Sequence, residues 1–251
     1  MLAVDISNYT NDLTKEKLSC WRSHGVGLVI VQCVNPGPPY PPGKTREQLE
    51  ILTEDSMPTH GYNYLWLDES VASFLNRYNL FNGYDLSHIW IDVEDNREAL
   101  NYLTPEQRVT VVRRAVEMTK ERYPEKTVGI YTGKWYWDAF MGNSIAFAEE
   151  PLWDSWFNGI ADVNNFRPYG GWDKCLIKQH IGDGELCGVT GIDINVTEMD
   201  IKMPHPMEHL DAAWGALDRI QTARTWSKVR TDSQYAKDEL INLKRAMGWG
   251  S

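Results

Sequence analysis

Short apolar runs alternate with amphipathic stretches through the first 140 residues, the pattern of successive βα units. Leu2 to Ile6 reads as a first strand, and a helix pattern from Leu13 to His24 ends at Gly25. Gly27 to Val34 reads as the second strand. The Pro- and Gly-rich run from Asn35 to Lys44 that follows fits neither a helix nor a central strand. Thr45 to Thr59 predicts a helix, Tyr62 to Leu67 a third strand, Glu69 to Tyr78 a helix and His88 to Glu94 a fourth strand. The next helix carries the fullest set of signals. Thr104 is placed to cap it, Pro105 takes its first position, and Val109, Val112, Val116 and Met118 supply an inner stripe before Tyr123 and Pro124 end it. Val128 to Tyr131 predicts the fifth strand and Lys134 to Phe140 a short helix.

Beyond that helix the pattern changes. Leu152 to Trp156, Leu176 to His180 and Gly191 to Asn195 read as strands separated by loops with little helix. Five βα units followed by three strands predict an α/β fold, a single β/α barrel over residues 1–203. Residues 204–251 read as a separate helical extension. Leu210, Trp214, Leu217 and Ile220 mark one amphipathic helix, and Ala236, Leu240, Leu243 and Met247 mark a second. These helices either pack on the barrel or serve self-association or a link to another module.

Charge and composition narrow the function. The formal net charge of −10 argues against a nucleic-acid partner, which needs a basic face, and against anionic membranes. No apolar run is long enough to cross a bilayer. The start has no basic leader followed by an apolar run, so a signal peptide is expected to be absent or already removed. The chain holds 11 Trp and 12 Tyr against 6 Phe, side chains with a flat apolar face and a polar edge that either stack on sugar rings or fill a large core. Cys20, Cys33, Cys175 and Cys187 lack metal-type spacing. Four free thiols are expected, with a Cys175–Cys187 pair across a hairpin as the alternative. His205 and His209 read as surface residues, Ser7 and Ser155 have no base at a recognisable spacing, and no glycine-rich phosphate loop occurs, so no metal and no cofactor are expected.

Acidic residues carry the candidate chemistry. Asp92 and Glu94 are two apart on the fourth strand, which puts them on one face, about 7 Å apart along the chain. Carboxylates at the C-terminal end of a barrel strand mark a reacting site. Asp5 ends the first strand and Asp193 sits in the last. First and last strands are neighbours in a closed barrel, so the two meet across the seam with the fourth strand opposite. Glycosidic cleavage asks for such a group: one carboxylic acid protonates the leaving oxygen, and a negative group stabilises the oxocarbenium-like centre. Crowded like charges raise the pKa of one member and keep it protonated near neutrality.

Val4-Asp-Ile-Ser7, Ile91-Asp-Val-Glu94, Gly129-Ile-Tyr131, Leu152-Trp153, and Gln179 followed by Gly188-Val-Thr-Gly-Ile-Asp-Ile-Asn195 occur in this order. In these runs the chain resembles glycoside hydrolase family 25, the Chalaropsis-type lysozymes, which include many bacteriophage endolysins. The resemblance spans roughly residues 1–203. It implies a flattened barrel of five βα units and three strands, and hydrolysis of the β-1,4 bond between N-acetylmuramic acid and N-acetylglucosamine in bacterial cell wall. It implies Glu94 as proton donor, Asp92 as its assistant, Asp5 and Asp193 as holders of the network, and Tyr131 on the floor near the cleaved sugar; Trp66, Trp153 and Gln179 are further candidate substrate-binding residues. An extracellular or host-cell-wall location is expected with it, and the helices of residues 204–251 are read either as packing on the barrel or as an oligomerisation element or bridge to a wall-binding module.

The chain departs from the family where Gln32-Cys-Val-Asn-Pro36, Leu65-Trp66 and Lys178-Gln179 stand. These departures bear on substrate subsites more than on the acids. Two other readings stay open. A chitinase-like glycosidase would need another Asp at the position of Trp90, and a non-catalytic glycan-binding or virion structural barrel would not depend on Glu94.

Overall fold

The structure, a computed structural model, describes residues 1–33 and 43–200. The helical extension expected for 204–251, and most of the loop from Asn35 to Lys44, lie outside the described residues.

Eight strands close into a barrel in sequence order. They are β1 (Leu2–Ile6), β2 (Val26–Gln32), β3 (Thr59–Tyr64), β4 (His88–Asp92), β5 (Thr127–Thr132), β6 (Leu152–Ser155), β7 (Ile177–Leu186) and β8 (Val189–Thr197). Strands β1 to β7 run parallel to their neighbours, and β8 runs antiparallel to both β7 and β1. Helices α1 (Lys15–Ser23), α2 (Thr45–Glu54), α3 (Val71–Arg77), α4 (Pro105–Arg122) and α5 (Lys134–Phe140) connect β1 through β6. The expected plan of five βα units and three further strands is the plan observed.

The strand sequences explain the two layers of core. In β2, Leu28 and Ile30 point into the barrel and Val29 and Val31 point out beneath the helices, so both faces are buried. In β4, Ile89 and Ile91 join the outer layer while Trp90 fills the inside. Helix α4 begins as its sequence dictates. Thr104 Oγ1 accepts from Gln107 N and Gln107 Oε1 accepts from Thr104 N, a reciprocal cap ahead of Pro105. Its buried stripe is Val112, Ala115, Val116 and Thr119, with Arg108 buried and donating to the Leu100 carbonyl at 2.8 Å. Met118 is only partly covered, so the inner face is rotated by one residue from the expected one.

Two expectations need correcting. Strand β3 starts three residues early, at Thr59, and stops at Tyr64. Helix α2 ends at Glu54, with Ser56 in the left-handed region at φ 51°, so the chain is extended again by Thr59. His60 fits inside the barrel because Trp90 Nε1 donates to its Nδ1 at 3.2 Å; its polarity made it read as loop. The cysteines are the second correction. Cys20 on α1 is joined to Cys187 in a disulfide, while Cys33 and Cys175 are free and buried. Cys187 and Gly188 are the two residues of the β7–β8 turn, both at positive φ, as a tight hairpin with matching twist requires. The hairpin lies against α1, where Trp21 Nε1 donates to the Leu186 carbonyl at 3.0 Å, and this brings together cysteines 167 residues apart.

Candidate active site

Four acids reach the C-terminal rim of the barrel from three strands. Asp5 and Asp193 are direct cross-strand partners at the β1–β8 seam. Asp92 is the last residue of β4 and faces inward, as Trp90 does. Val93 N continues the ladder by donating to the Tyr131 carbonyl at 2.9 Å, so the alternation persists and carries Glu94 to the same side as Asp92. Asp95, next along, is a different kind of residue. It is fully buried, accepts from Leu67 N and from Arg97 Nε and Nη2, and these bonds hold its pKa below the ordinary value despite burial.

A hydrogen-bond network with fixed polarity joins the acids. Tyr131 OH donates to Gln179 Oε1 at 2.7 Å, which turns the Gln179 amide nitrogen toward the acids. That nitrogen donates to Asp5 Oδ2 at 2.8 Å and to Asp193 Oδ2 at 2.9 Å. In the same way Trp153 Nε1 donates to Asn195 Oδ1 at 2.7 Å, and Asn195 Nδ2 donates to Asp5 Oδ2 at 2.8 Å. Asp193 Oδ1 also accepts from the backbone N–H of Asp183 at 2.7 Å. Asp5 and Asp193 are thus held by neutral donors on oriented amides, with no cation among these partners.

Burial raises the pKa of all four acids, and repulsion within the group adds to it for Asp5, Asp92 and Glu94. Asp5 is pushed well up by burial and then by Asp193, against the bonds from Asn195 and Gln179. Asp92 is pushed up by burial, then Glu94, then Asp5, and its Oδ1 is buried with no hydrogen-bond partner among the described residues. Glu94 rises to about 7, through burial and then Asp193. Asp193 rises through burial, partly offset by the Asp183 N–H. Glu94 is half-buried and Asp92 almost wholly buried, so Glu94 is the acid with a proton to give near neutral pH and a path to solvent.

A cleft of about 290 Å³ opens beside the seam, lined by Asp5, Ser7, Tyr9, Tyr62, Asp183, Gly191 and Asp193. Gly191 has φ +66°, and a Cβ there would lie 2.7 Å from the Tyr9 carbonyl oxygen, so the cleft edge needs glycine. The residues singled out from the sequence divide into three groups. Asp5, Asp92, Glu94, Asp193, Tyr131 and Gln179 come together. Trp66 stands exposed at the rim, two residues past β3. Trp153 is not a surface for substrate. It is 1 % exposed inside the barrel, packed edge-on to Tyr131 at 4.5 Å and Tyr62 at 5.7 Å, and it supports the site from below. The substrate-binding part expected for Trp153 is corrected accordingly, because residues of its parity on β6 point to the barrel axis below the rim. Gln179 is also buried and orients acids.

Sequence reading missed Tyr62, Asn195 and Asp183. Tyr62 lies among all four acids, whose charges, together with its burial, push its phenol well up. Its signal was available, since it shares strand parity with Tyr64 and Trp66. Asn195 carries the same signal, lying two residues from Asp193.

Comparison with known proteins finds lysozyme-like sequences and similar barrels. The profile of a family described as Lysozyme-like protein 1 matches residues 68–180. A probable GH family 25 lysozyme 2 of Dictyostelium discoideum is 26% identical over 201 residues, covering 76% of this chain and 88% of that protein. A muramidase from Acremonium alcalophilum superposes with a TM-score of 0.64 at 18% identity, covering 80% of this chain and 94% of the other. A GH25 lysozyme from Aspergillus fumigatus gives 0.63 at 18% identity, over 83% and 96%. These two likenesses concern the fold.

Proposed function

We propose that this chain, a glycoside hydrolase of the family 25 lysozyme type, hydrolyses the β-1,4 bond between N-acetylmuramic acid and N-acetylglucosamine in bacterial peptidoglycan. The observation that carries the reading is the convergence of Asp5, Asp92, Glu94 and Asp193, with Glu94 protonated up to about pH 7. Glu94 donates its proton to the glycosidic oxygen as the bond from that oxygen to the anomeric carbon breaks. Positive charge then develops on the sugar ring. Asp92, with one oxygen unpartnered among the described residues, faces that charge or the neighbouring acetamido group. Asp5 and Asp193, fixed by Gln179 and Asn195, hold the attacking water and the sugar beside the cleft. Glu94 takes back a proton from water as the new C–O bond forms.

The Cys20–Cys187 disulfide supports action in an oxidising, extracellular setting, since such bonds are rare in reducing cytosol. The same bond favours a secreted lysozyme over an endolysin that accumulates inside a host before release.

Turbidity loss of purified cell walls, run beside chitin, tests the reading. Lysis of walls without cleavage of chitin is expected, and the reverse would point to a chitinase-like enzyme. Glu94→Gln is expected to lower wall lysis at least about a hundredfold, as removal of a general acid does. Lysis unaffected by that change would leave Glu94 without a catalytic part.

A further inference from the structure

The Cys20–Cys187 disulfide has a third neighbour that the bond itself does not need. His24 stands four residues after Cys20, one turn further along the same face of α1, at the residue that ends the helix. Its Nδ1 lies 3.8 Å from the Cys20 sulfur and 3.7 Å from the Cys187 sulfur. Among the described residues this is the only trio of His, Cys, Asp or Glu side chains whose ligand atoms all lie within 4.8 Å of one another. A spacing rule misses it, because Cys187 is 163 positions beyond His24.

The spacing suits a tetrahedral ion. Bonds of about 2.0 Å to nitrogen and about 2.3 Å to sulfur place the two ligand atoms about 3.5 Å apart, close to both distances here. The Cα atoms of Cys20 and Cys187 are 6.2 Å apart, so two thiolates have room to part by rotation about their Cα–Cβ bonds. Left alone, the thiolates would repel each other and face the negative end of α1, and a divalent cation offsets both effects. Cys20 and Cys187 are half-buried and His24 is exposed, so an ion reaches the trio and water completes its ligands. Nδ1 also lies 2.9 Å from the Cys20 carbonyl oxygen. Binding a cation gives up that contact and leaves the imidazole proton on Nε2.

We propose that in the dithiol form of the protein Cys20, His24 and Cys187 bind a thiophilic divalent cation of the zinc class, so that α1 and the β7–β8 hairpin are joined by a disulfide in oxidising surroundings and by a metal clip in reducing ones. A dithiol reductant breaks the S–S bond by exchange, is itself oxidised to a disulfide, and leaves two thiols on the protein. The cation then displaces both thiol protons to solvent and gains two bonds to sulfur and one to nitrogen, with no change of oxidation state. The hairpin held in this way carries Gln179, Asp183 and Asp193, which fix the acids of the rim. The inference is independent of the substrate.

The test reduces the full chain with a phosphine, which leaves as its oxide, and titrates it with Co²⁺ alone in the absence of oxygen. One Co²⁺ per chain is expected, with sulfur-to-cobalt charge-transfer absorption and the strong visible bands of a tetrahedral ion, both lost on adding Zn²⁺. The oxidised protein should show neither. His24→Ala should weaken Co²⁺ binding at least about a hundredfold, no less than loss of an outer partner costs. Cys20→Ser with Cys187→Ser should abolish the charge-transfer band. If reduction alone costs the fold, Zn²⁺ but not Mg²⁺ should restore the near-ultraviolet circular dichroism, since binding at such a site adds to folding. A folded reduced protein without the band would overturn the proposal, as would a lost fold that Zn²⁺ does not restore. So would a Co²⁺ affinity unchanged in His24→Ala, or a band that persists without Cys20 and Cys187 and so arises from the free Cys33 or Cys175.

Discussion

Asp92 shows how the site trades stability for chemistry. Its carboxyl is buried, crowded by Glu94 and Asp5, and leaves one oxygen unpaired among the described residues. A carboxyl whose pKa rises on folding stabilises the fold fully only below its unfolded value of about 4, and that contribution is lost as pH climbs through the folded-state pKa. Asp92→Asn should therefore stabilise the protein at pH 7 by about 1–3 kcal/mol and change little near pH 4. Urea denaturation at the two pH values checks this, and equal effects at both would refute it. The same substitution should lower wall lysis. The acids were legible in the sequence because strand parity groups Asp92 with Glu94, and barrel closure groups Asp5 with Asp193. Parity does not say how high a side chain stands, which is why Trp153 read as a substrate surface although it lies beneath one.

Among the secondary-structure elements, those with local signals were placed closely and those set by tertiary contact were not. Strand β1 and helix α5 match their expected bounds, and α4 begins at the capped Thr104–Pro105 start. Strand β3 slipped by three residues because its first inward side chain, His60, is polar and only the Trp90 indole inside the barrel makes it a core residue. The β7–β8 hairpin runs to Leu186 on one strand and from Val189 on the other, longer than its apolar cores predicted. Lys178 on β7 is the least expected element anchor. It is fully buried and points outward, where Nζ donates to the Ile160 carbonyl at 3.1 Å and Asn165 Oδ1 at 3.0 Å and lies over the Trp156 ring. It secures the loop that covers a side of the barrel lacking a helix. Lys178→Met keeps the bulk but strips those acceptors of their donor, and should cost about 2–4 kcal/mol. Thermal melting beside wild type measures it, and an unchanged melting temperature would show that the loop is held by other contacts.

For the whole molecule, barrel closure is what turns a linear pattern into a site, because Asp5 and Asp193 are 188 positions apart in sequence and directly opposite in register. The disulfide works on the same scale. It ties α1 to the last hairpin across 167 residues, a loop whose closure restricts the unfolded chain strongly. Cys20→Ser with Cys187→Ser should lower stability by about 2–5 kcal/mol in urea denaturation, and an unchanged midpoint would deny the bond a stabilising part. Sequence spacing could not reveal this pair, since only the fold brings α1 to the hairpin tip. The central claim is that gathering four acids at one rim leaves Glu94 protonated in neutral solution. Carboxyl-carbon NMR of the glutamate-labelled protein, with Glu94 assigned by its absence in Glu94→Gln, measures this directly. A titration midpoint near 7 is predicted, whereas a midpoint near the ordinary glutamate value of about 4.3 would contradict the account.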